Sequence, residues 1–149
     1  MNMKLLVPTD GTDSSEKAAD HAIDLARKLD AEVHTIFVAS APRAGFTPSE
    51  PDLEPLKESG ETYVARVRES VEAHEIPCTT EVFESDRPYE GILTYAEEND
   101  IDYIVMGTHG EDAPFPRFFL GSVTERVLKA SPIPVLVIPA HEEDNGEES

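Results

Sequence analysis

The chain has 149 residues, of which 31 are acidic and 12 are basic, and its formal net charge is -19. This length suits one domain with a proper hydrophobic core. The charge argues against duplex nucleic acid and anionic membranes as partners, because both are bound through basic surfaces. The acidic residues are spread along the chain and only five basic residues are Lys. That distribution favours a surface adapted to high salt over an ordinary acidic soluble protein.

The cysteine content and the first residues predict a cytoplasmic location. Cys78 is the single cysteine, so no intramolecular disulfide can form, which fits a reducing compartment. The first four residues lead directly into an apolar run, and we expect no signal peptide. No apolar run approaches the ~20 residues that span a bilayer.

Strand and helix patterns alternate from the start of the chain. Met3 to Pro8 is apolar and continuous, as a buried parallel strand is. After the turn Thr9-Asp10-Gly11, Asp13 and Glu16 form a capping-box-like helix start. Glu32 to Ala39 is the second predicted strand.

The middle of the chain predicts a long loop, two helices and an edge strand. Prolines and glycines from Ser40 to Pro55 exclude a continuous element, and so long a loop is usually functional or mobile. Helical spacing predicts a helix over Leu56 to His74. Alternation over Cys78 to Glu84 predicts a strand at a sheet edge. Asp86 is expected to cap a third helix, with Pro88 in its first turn.

The stretch from Ile101 to Pro139 has the pattern of a βαβ unit. An apolar run ends in Gly107-Thr108-His109-Gly110, ten residues follow, and Gly121-Ser122 opens a helix that reaches Ala130. Pro134 to Pro139 is the last predicted strand. Glycines let a backbone approach an anion closely, and the first N–H groups of a helix lack intrahelical partners at the positive end of its dipole. The unit therefore predicts phosphate binding.

This glycine pattern resembles the nucleotide-binding motif of the universal stress protein family. Leu5-Leu6-Val7-Pro8-Thr9-Asp10-Gly11 and Val123 to Pro139 are also similar to that family, so the resemblance covers most of the chain. The alternation of elements indicates a three-layer α/β domain, which we expect over residues 1–140. The resemblance implies a doubly wound sandwich of the adenine nucleotide alpha hydrolase-like type, with a five-stranded parallel sheet of order 3-2-1-4-5. Residues 141–149 are expected to form an acidic disordered tail.

The resemblance also assigns residues to a nucleotide site at the carboxyl ends of strands 1 and 4, where such sheets bind ligands. Gly107, Gly110 and Gly121 would form a phosphate cradle, with the Ser122 hydroxyl as helix cap and phosphate donor. Ordinary turn glycines and an ordinary cap are the alternative. The full predicted cofactor-binding set is Pro8, Thr9, Asp10, Val38, Met106, Gly107, His109, Gly110, Gly121, Ser122, Val123 and Thr124.

Three members of this set have explicit competing roles. Asp10 is similar to an acidic residue near the ribose and the metal, where a carboxylate can hold Mg²⁺ beside phosphates, but Asp-Gly is also common turn chemistry. Val38 matches a position whose backbone meets adenine, but it also fits the core. His109 suits a phosphate donor or an exposed loop histidine.

The resemblance implies a universal-stress-type protein that binds ATP with Mg²⁺ and acts through nucleotide-dependent conformation or partners, not as an enzyme. The spacer between Gly110 and Gly121 is one residue longer than is usual among the ATP-binding members, which supports a dimeric interaction module that binds no nucleotide. An enzyme that splits ATP at the α-phosphate would have a double glycine after the first strand, which this chain lacks. The apolar last strand predicts a homodimer through that strand.

Overall fold

The computed structural model describes residues 2–41, 52–108 and 120–139, and within them strands and helices alternate. The strands are β1 (Met3–Pro8), β2 (Ala31–Ala39), β3 (Cys78–Glu84), β4 (Tyr103–Gly107) and β5 (Val135–Ile138). The helices are α1 (Asp13–Leu29), α2 (Glu54–Glu72), α3 (Pro88–Glu98) and α4 (Ser122–Ala130). The predicted tail, residues 141–149, lies outside the described ranges.

The strands form one parallel sheet in the order β3-β2-β1-β4-β5. This confirms the predicted α/β class, the strand order and the place of β3 at an edge. The order reverses between β1 and β4, which therefore flank the switch point. None of the helices in the described ranges has the length and apolar character needed to cross a membrane.

Helices cover both faces of the sheet, so the central strands are apolar on both sides. Leu5 and Val7 of β1 face α1 and α2, whereas Leu6 between them faces α3 and α4. All three side chains are fully buried. Burial of each contributes about 1.5–3 kcal/mol, which explains why the strand pattern is a continuous apolar run instead of an alternation.

The starts of α1, α2 and α3 differ from the predictions. Thr12, not Asp13, caps α1, because the Thr12 side-chain oxygen accepts a hydrogen bond from the Ser15 N–H. Helix α2 begins inside the loop that was predicted to reach Pro55. A proline fits there, because first-turn N–H groups have no helical acceptor. Helix α3 is preceded by Arg87 with no side-chain cap, so the prediction that Asp86 caps it is wrong.

Candidate functional site

The carboxyl ends of β1 and β4 lie side by side, and α1 and α4 begin beside them. This geometry brings together several predicted site residues: Thr9 and Asp10 follow β1, Gly107 ends β4, and Gly121 precedes α4. The Gly121 N–H donates to the Thr108 carbonyl at 2.6 Å. That bond holds together the two ends of the glycine loop, whatever the length of the chain between them.

The turn after β1 is built from its own hydroxyl and carboxylate groups. Asp10 Oδ1 accepts hydrogen bonds from the Thr12 N–H (3.1 Å) and the Thr12 hydroxyl (2.6 Å). One Asp10 oxygen therefore stabilises the turn. This is the turn role that the sequence offered as the alternative to ribose or metal binding. Asp10 is exposed at the end of β1, so its carboxylate is also accessible from solvent.

Thr9 and Gly11 have structural roles in the same turn. The Thr9 hydroxyl oxygen accepts from the Gly11 N–H at 3.2 Å and lies 3.2 Å from the Ser15 hydroxyl. Gly11 has φ +82°, and a Cβ there would lie 2.5 Å from the Tyr63 ring. Only glycine fits this position, because its conformation and its close neighbour both exclude a side chain. The turn is thus fixed before any ligand binds.

Gly107 lets α1 approach the end of β4. A Cβ at this position would lie 2.7 Å from the Ser14 carbonyl oxygen of the first turn of α1. On the other side, the Thr124 hydroxyl donates to the Gly107 carbonyl at 2.9 Å. Gly107 and Thr124 were predicted as nucleotide-binding residues, and both also hold helices against the strand end.

The start of α4 offers backbone donors to an anion. Gly121 occupies the N-cap position with φ -67° and ψ 162°, and no side chain within the described ranges caps the helix. The prediction that Ser122 caps it is wrong, because Ser122 already has helical geometry, whereas a cap residue requires an extended one. Ser122 is exposed. An uncapped helix N-terminus presents free N–H groups and the positive end of the dipole.

Two buried hydroxyl groups flank Gly107 and were missed from the sequence. Ser14 Oγ and Thr108 Oγ1 have no hydrogen-bond partner among the described residues, although the two side chains are only 4% and 6% exposed. An unsatisfied buried hydroxyl costs about 1–3 kcal/mol. Thr108 lies inside the Gly-Thr-His-Gly motif, and this position in the sequence could have identified it as a candidate site residue.

The remaining predicted residues are either in the core or outside the described ranges. Met106 is buried, and the partly buried Val38 and Val123 pack against the core cluster beneath α3 and α4. Pro8 is half-buried at the end of β1. His109 and Gly110 lie outside the described residues, as does most of the spacer. Within residues 2–41, 52–108 and 120–139, no group of three or more His, Cys, Asp or Glu could hold a metal ion.

The fold and this crevice define a doubly wound α/β protein with its candidate ligand site at the switch point. The sequence profile of the Universal stress protein family matches residues 1–139, and the chain belongs to that family. The resemblance seen in the sequence is confirmed. Universal stress protein MJ0531 of Methanocaldococcus jannaschii is 40% identical over 139 residues, which are 91% of this chain and 81% of that protein.

Solved structures of the family have the same fold. The structure of hypothetical protein MJ0577 is 25% identical with a TM-score of 0.74, and the match covers 97% of this chain and 99% of that one. A universal stress protein in complex with cAMP is 23% identical with a TM-score of 0.67, over 91% and 96% of the two chains. The Archaeoglobus fulgidus protein in complex with dAMP is 23% identical with a TM-score of 0.66, over 91% and 97%.

Proposed function

We propose that this universal stress protein binds ATP in the crevice between β1 and β4 and acts through nucleotide-dependent conformation or partners, not as an enzyme. The observation that carries the proposal is the start of α4, which no described side chain caps, next to the buried hydroxyl of Thr108, which has no hydrogen-bond partner among the described residues. Both features suit a phosphate, which accepts hydrogen bonds from N–H and O–H donors. Related structures that contain cAMP and dAMP support an adenine nucleotide as the ligand class.

The proposed contacts follow the crevice from phosphate to base. The N–H groups of Gly110 and Ser122 bind the phosphates, with the Thr108 hydroxyl as an added donor, while the Gly121 N–H keeps its bond to the Thr108 carbonyl. The second Asp10 oxygen binds the ribose or a Mg²⁺ ion. Mg²⁺, when bound, neutralises phosphate charge, which matters in a protein with a net charge of -19. The backbone of Val38 lies at the adenine end.

The competing function is a dimeric interaction module that binds no nucleotide. The longer spacer between Gly110 and Gly121 supports it. The hydrogen bond between Gly121 and Thr108 weakens that argument, because it joins the two ends of the loop at a distance that does not depend on spacer length.

Equilibrium binding of labelled ATP, with and without Mg²⁺ in high salt, tests the proposal. We expect the parent protein to bind, and Gly110→Val to lose about tenfold or more in affinity, because a bulky side chain blocks approach of the backbone to the phosphates. Gly146→Val, in the predicted tail, is the matched control and should bind as the parent does. A folded Gly110→Val with unchanged affinity would place the phosphates elsewhere. A parent that binds no ATP would favour the interaction module.

We also propose that two copies associate through β5. The Ile104 N–H donates to the Pro134 carbonyl at 3.1 Å. Because backbone groups alternate sides along a strand, even-numbered residues here bond to β4, while Val135 and Val137 direct their N–H and C=O groups to the outer edge, where no strand of the described ranges pairs. The strand is apolar, and Leu136 is 37% exposed. An open apolar edge is a template for antiparallel pairing about a two-fold axis.

A further inference from the structure

We propose that the outer edge of β3 binds an extended basic segment of another protein as an additional strand of the sheet. β3 is the edge strand opposite β5, and no other strand in the described part of the chain pairs with its outer side. Strand addition of this kind gains affinity from main-chain hydrogen bonds and specificity from alternate side chains. This inference does not depend on nucleotide binding.

The hydrogen-bond pattern shows which backbone groups are open. The Val33 N–H donates to the Pro77 carbonyl at 3.0 Å, and the Ser85 N–H donates to the Ala39 carbonyl at 3.1 Å. Odd-numbered residues on this side therefore bond to β2, because backbone direction alternates along a strand. The residues whose N–H and C=O groups face outward are the even-numbered ones: Cys78, Thr80, Val82 and Glu84.

The side chains beside this edge are acidic and aromatic on the α3 side. Glu81 is exposed there, and a crevice of about 320 Å³ separates β3 from α3. Glu98 lines the crevice together with the half-buried ring of Phe83, which stacks on the buried ring of Tyr95 with their centroids 6.1 Å apart. The carboxylates favour Lys and Arg side chains through ion pairing, and the outer face of the Phe83 ring adds cation–π attraction.

On the opposite face of β3, the side chains that point toward α2 include apolar ones. Cys78 and Val82 direct their side chains to the α2 side, where they pack in apolar clusters. An added strand would therefore place basic residues toward α3 and apolar residues toward α2. This alternation defines the partner: a segment of strand length in which every second residue is Lys or Arg.

Charge selects this partner over the other possible occupants. Glu84 is paired with Lys57 at 3.0 Å, but a second copy of β3 would bring the exposed Glu81 side chains of two chains together, and like charges across strands are destabilising. The last nine residues of this chain are also acidic and would be repelled. The two edges of the sheet thus differ: β5 is apolar and suits self-association, whereas β3 is acidic and suits a basic partner.

The test uses the full-length protein and a labelled peptide with alternating Val and Lys, as long as the seven residues of β3. Binding is measured by fluorescence anisotropy. Thr80→Pro removes an outward N–H while leaving the ladder with β2 intact, and proline is tolerated at such edge positions. Glu81→Lys reverses a charge beside the crevice. Asp24→Lys, on the exposed side of α1, makes the same change in net charge away from β3 and is the matched control.

We expect Glu81→Lys to weaken peptide binding at least about fivefold more than Asp24→Lys does. Thr80→Pro should weaken it about tenfold while keeping the ATP affinity and the melting curve of the parent. Equal losses for Glu81→Lys and Asp24→Lys would show binding to net charge alone and overturn the proposal. A folded Thr80→Pro that binds the peptide like the parent would overturn it as well. If Thr80→Pro does not fold, the comparison of the two charge reversals decides.

Discussion

The Thr108 hydroxyl allows stability and ligand binding to be tested separately. This group is buried and has no hydrogen-bond partner among the described residues. We expect Thr108→Val, which keeps the shape of the side chain, to leave stability unchanged or raise it by up to about 1–2 kcal/mol. The same change should weaken ATP binding, because a phosphate donor is lost.

Chemical denaturation without ATP and equilibrium ATP binding measure the two effects. Ser14→Ala is the control, since it removes the buried hydroxyl on the α1 side of Gly107, which also has no partner in the part of the chain that the structure describes. It should not weaken ATP binding. A Thr108→Val protein that is strongly destabilised would show that the hydroxyl has a partner within the folded chain.

His34 makes stability depend on pH. Its side chain is 5% exposed on β2, and its Nδ1 lies 2.7 Å from the Tyr95 hydroxyl of α3. Burial lowers the pKa of His34 below its ordinary value of 6.5, against the opposing effect of Glu32. In the unfolded chain this histidine takes up a proton more readily than in the folded one. Stability should therefore fall as pH drops below about 6.5, until the lower folded-state pKa is passed.

Melting curves between pH 7.5 and 5 test this dependence in the parent, in His34→Gln and in the control His21→Gln, which replaces an exposed histidine. We expect His34→Gln to flatten the loss of stability toward low pH and His21→Gln to retain it. Parallel pH profiles for the parent and His34→Gln would mean that other groups cause the dependence.

The sequence predicted which residues gather at the crevice better than it predicted their contacts. Asp10, Gly107 and Gly121 were expected together, and the strand order brings them together. The contacts depend on distant partners: Gly107 touches α1, and Tyr63 from α2 covers Gly11. Such neighbours follow from tertiary packing, which spacing along the chain does not encode.

At the scale of elements, the ends of three helices have acidic residues in a backbone geometry that lowers stability. Asp30, Glu75 and Asp100, at or just beyond the ends of α1, α2 and α3, have φ values of 56°, 62° and 56°. Left-handed geometry favours glycine, and a carboxylate is repelled by the negative end of the helix dipole. We expect Glu75→Gly to raise stability by about 1 kcal/mol, and Asp30→Gly by less, because Asp tolerates this geometry better.

Denaturation in low and high salt measures these gains. They should be larger in low salt, where the repulsion between the carboxylate and the helix end is not screened. Glu72→Gly, within helix α2, is the contrasting change and should destabilise the protein. A loss of stability in Glu75→Gly would show that the carboxylate makes a favourable interaction.

Two proline substitutions in β5 test the proposed dimer, one on the outer side of the strand and one on the inner side. Val137→Pro removes an outward N–H and should abolish the dimer while the β4–β5 ladder stays intact. Leu136→Pro removes an N–H on the inner side and should lower stability instead. Molar mass by light scattering in high salt, with melting curves, distinguishes the two effects. A parent that is a monomer at micromolar concentrations would refute the dimer, and a dimer that survives Val137→Pro would place the interface elsewhere.

The strands were easier to predict than the helix starts for a physical reason. Burial on both faces leaves a continuous apolar run, as in β1, and its short length and flanking turn residues indicate a strand instead of a helix. Helix starts depend on single hydrogen bonds. Asp13 and Thr12 are both good cap residues, and the choice between them depends on the turn that Asp10 builds. The sequence alone therefore does not show which of the two residues caps α1.

At the scale of the whole molecule, charge predicts salt-dependent folding. A net charge of -19 produces self-repulsion that is strongest at low ionic strength, where the Debye length is ~30 Å at 0.01 M, compared with ~3 Å at 1 M. The ion pairs on the surface, such as Arg66–Glu16 at 3.1 Å, are exposed and offset little of it. Melting temperature should rise with KCl across that range. A flat or falling melting temperature would count against salt adaptation.

The strand order also determines how many partners one assembly can hold. Because β3 and β5 lie at opposite edges of the sheet, two copies joined through β5 would carry two β3 edges at the far ends of one continuous sheet. Such an assembly is bivalent. A partner with two basic segments on a linker long enough to span the ends would gain avidity from effective concentration, and a partner with many would be cross-linked into a network. Val137→Pro would then reduce this clustering without changing any contact at β3.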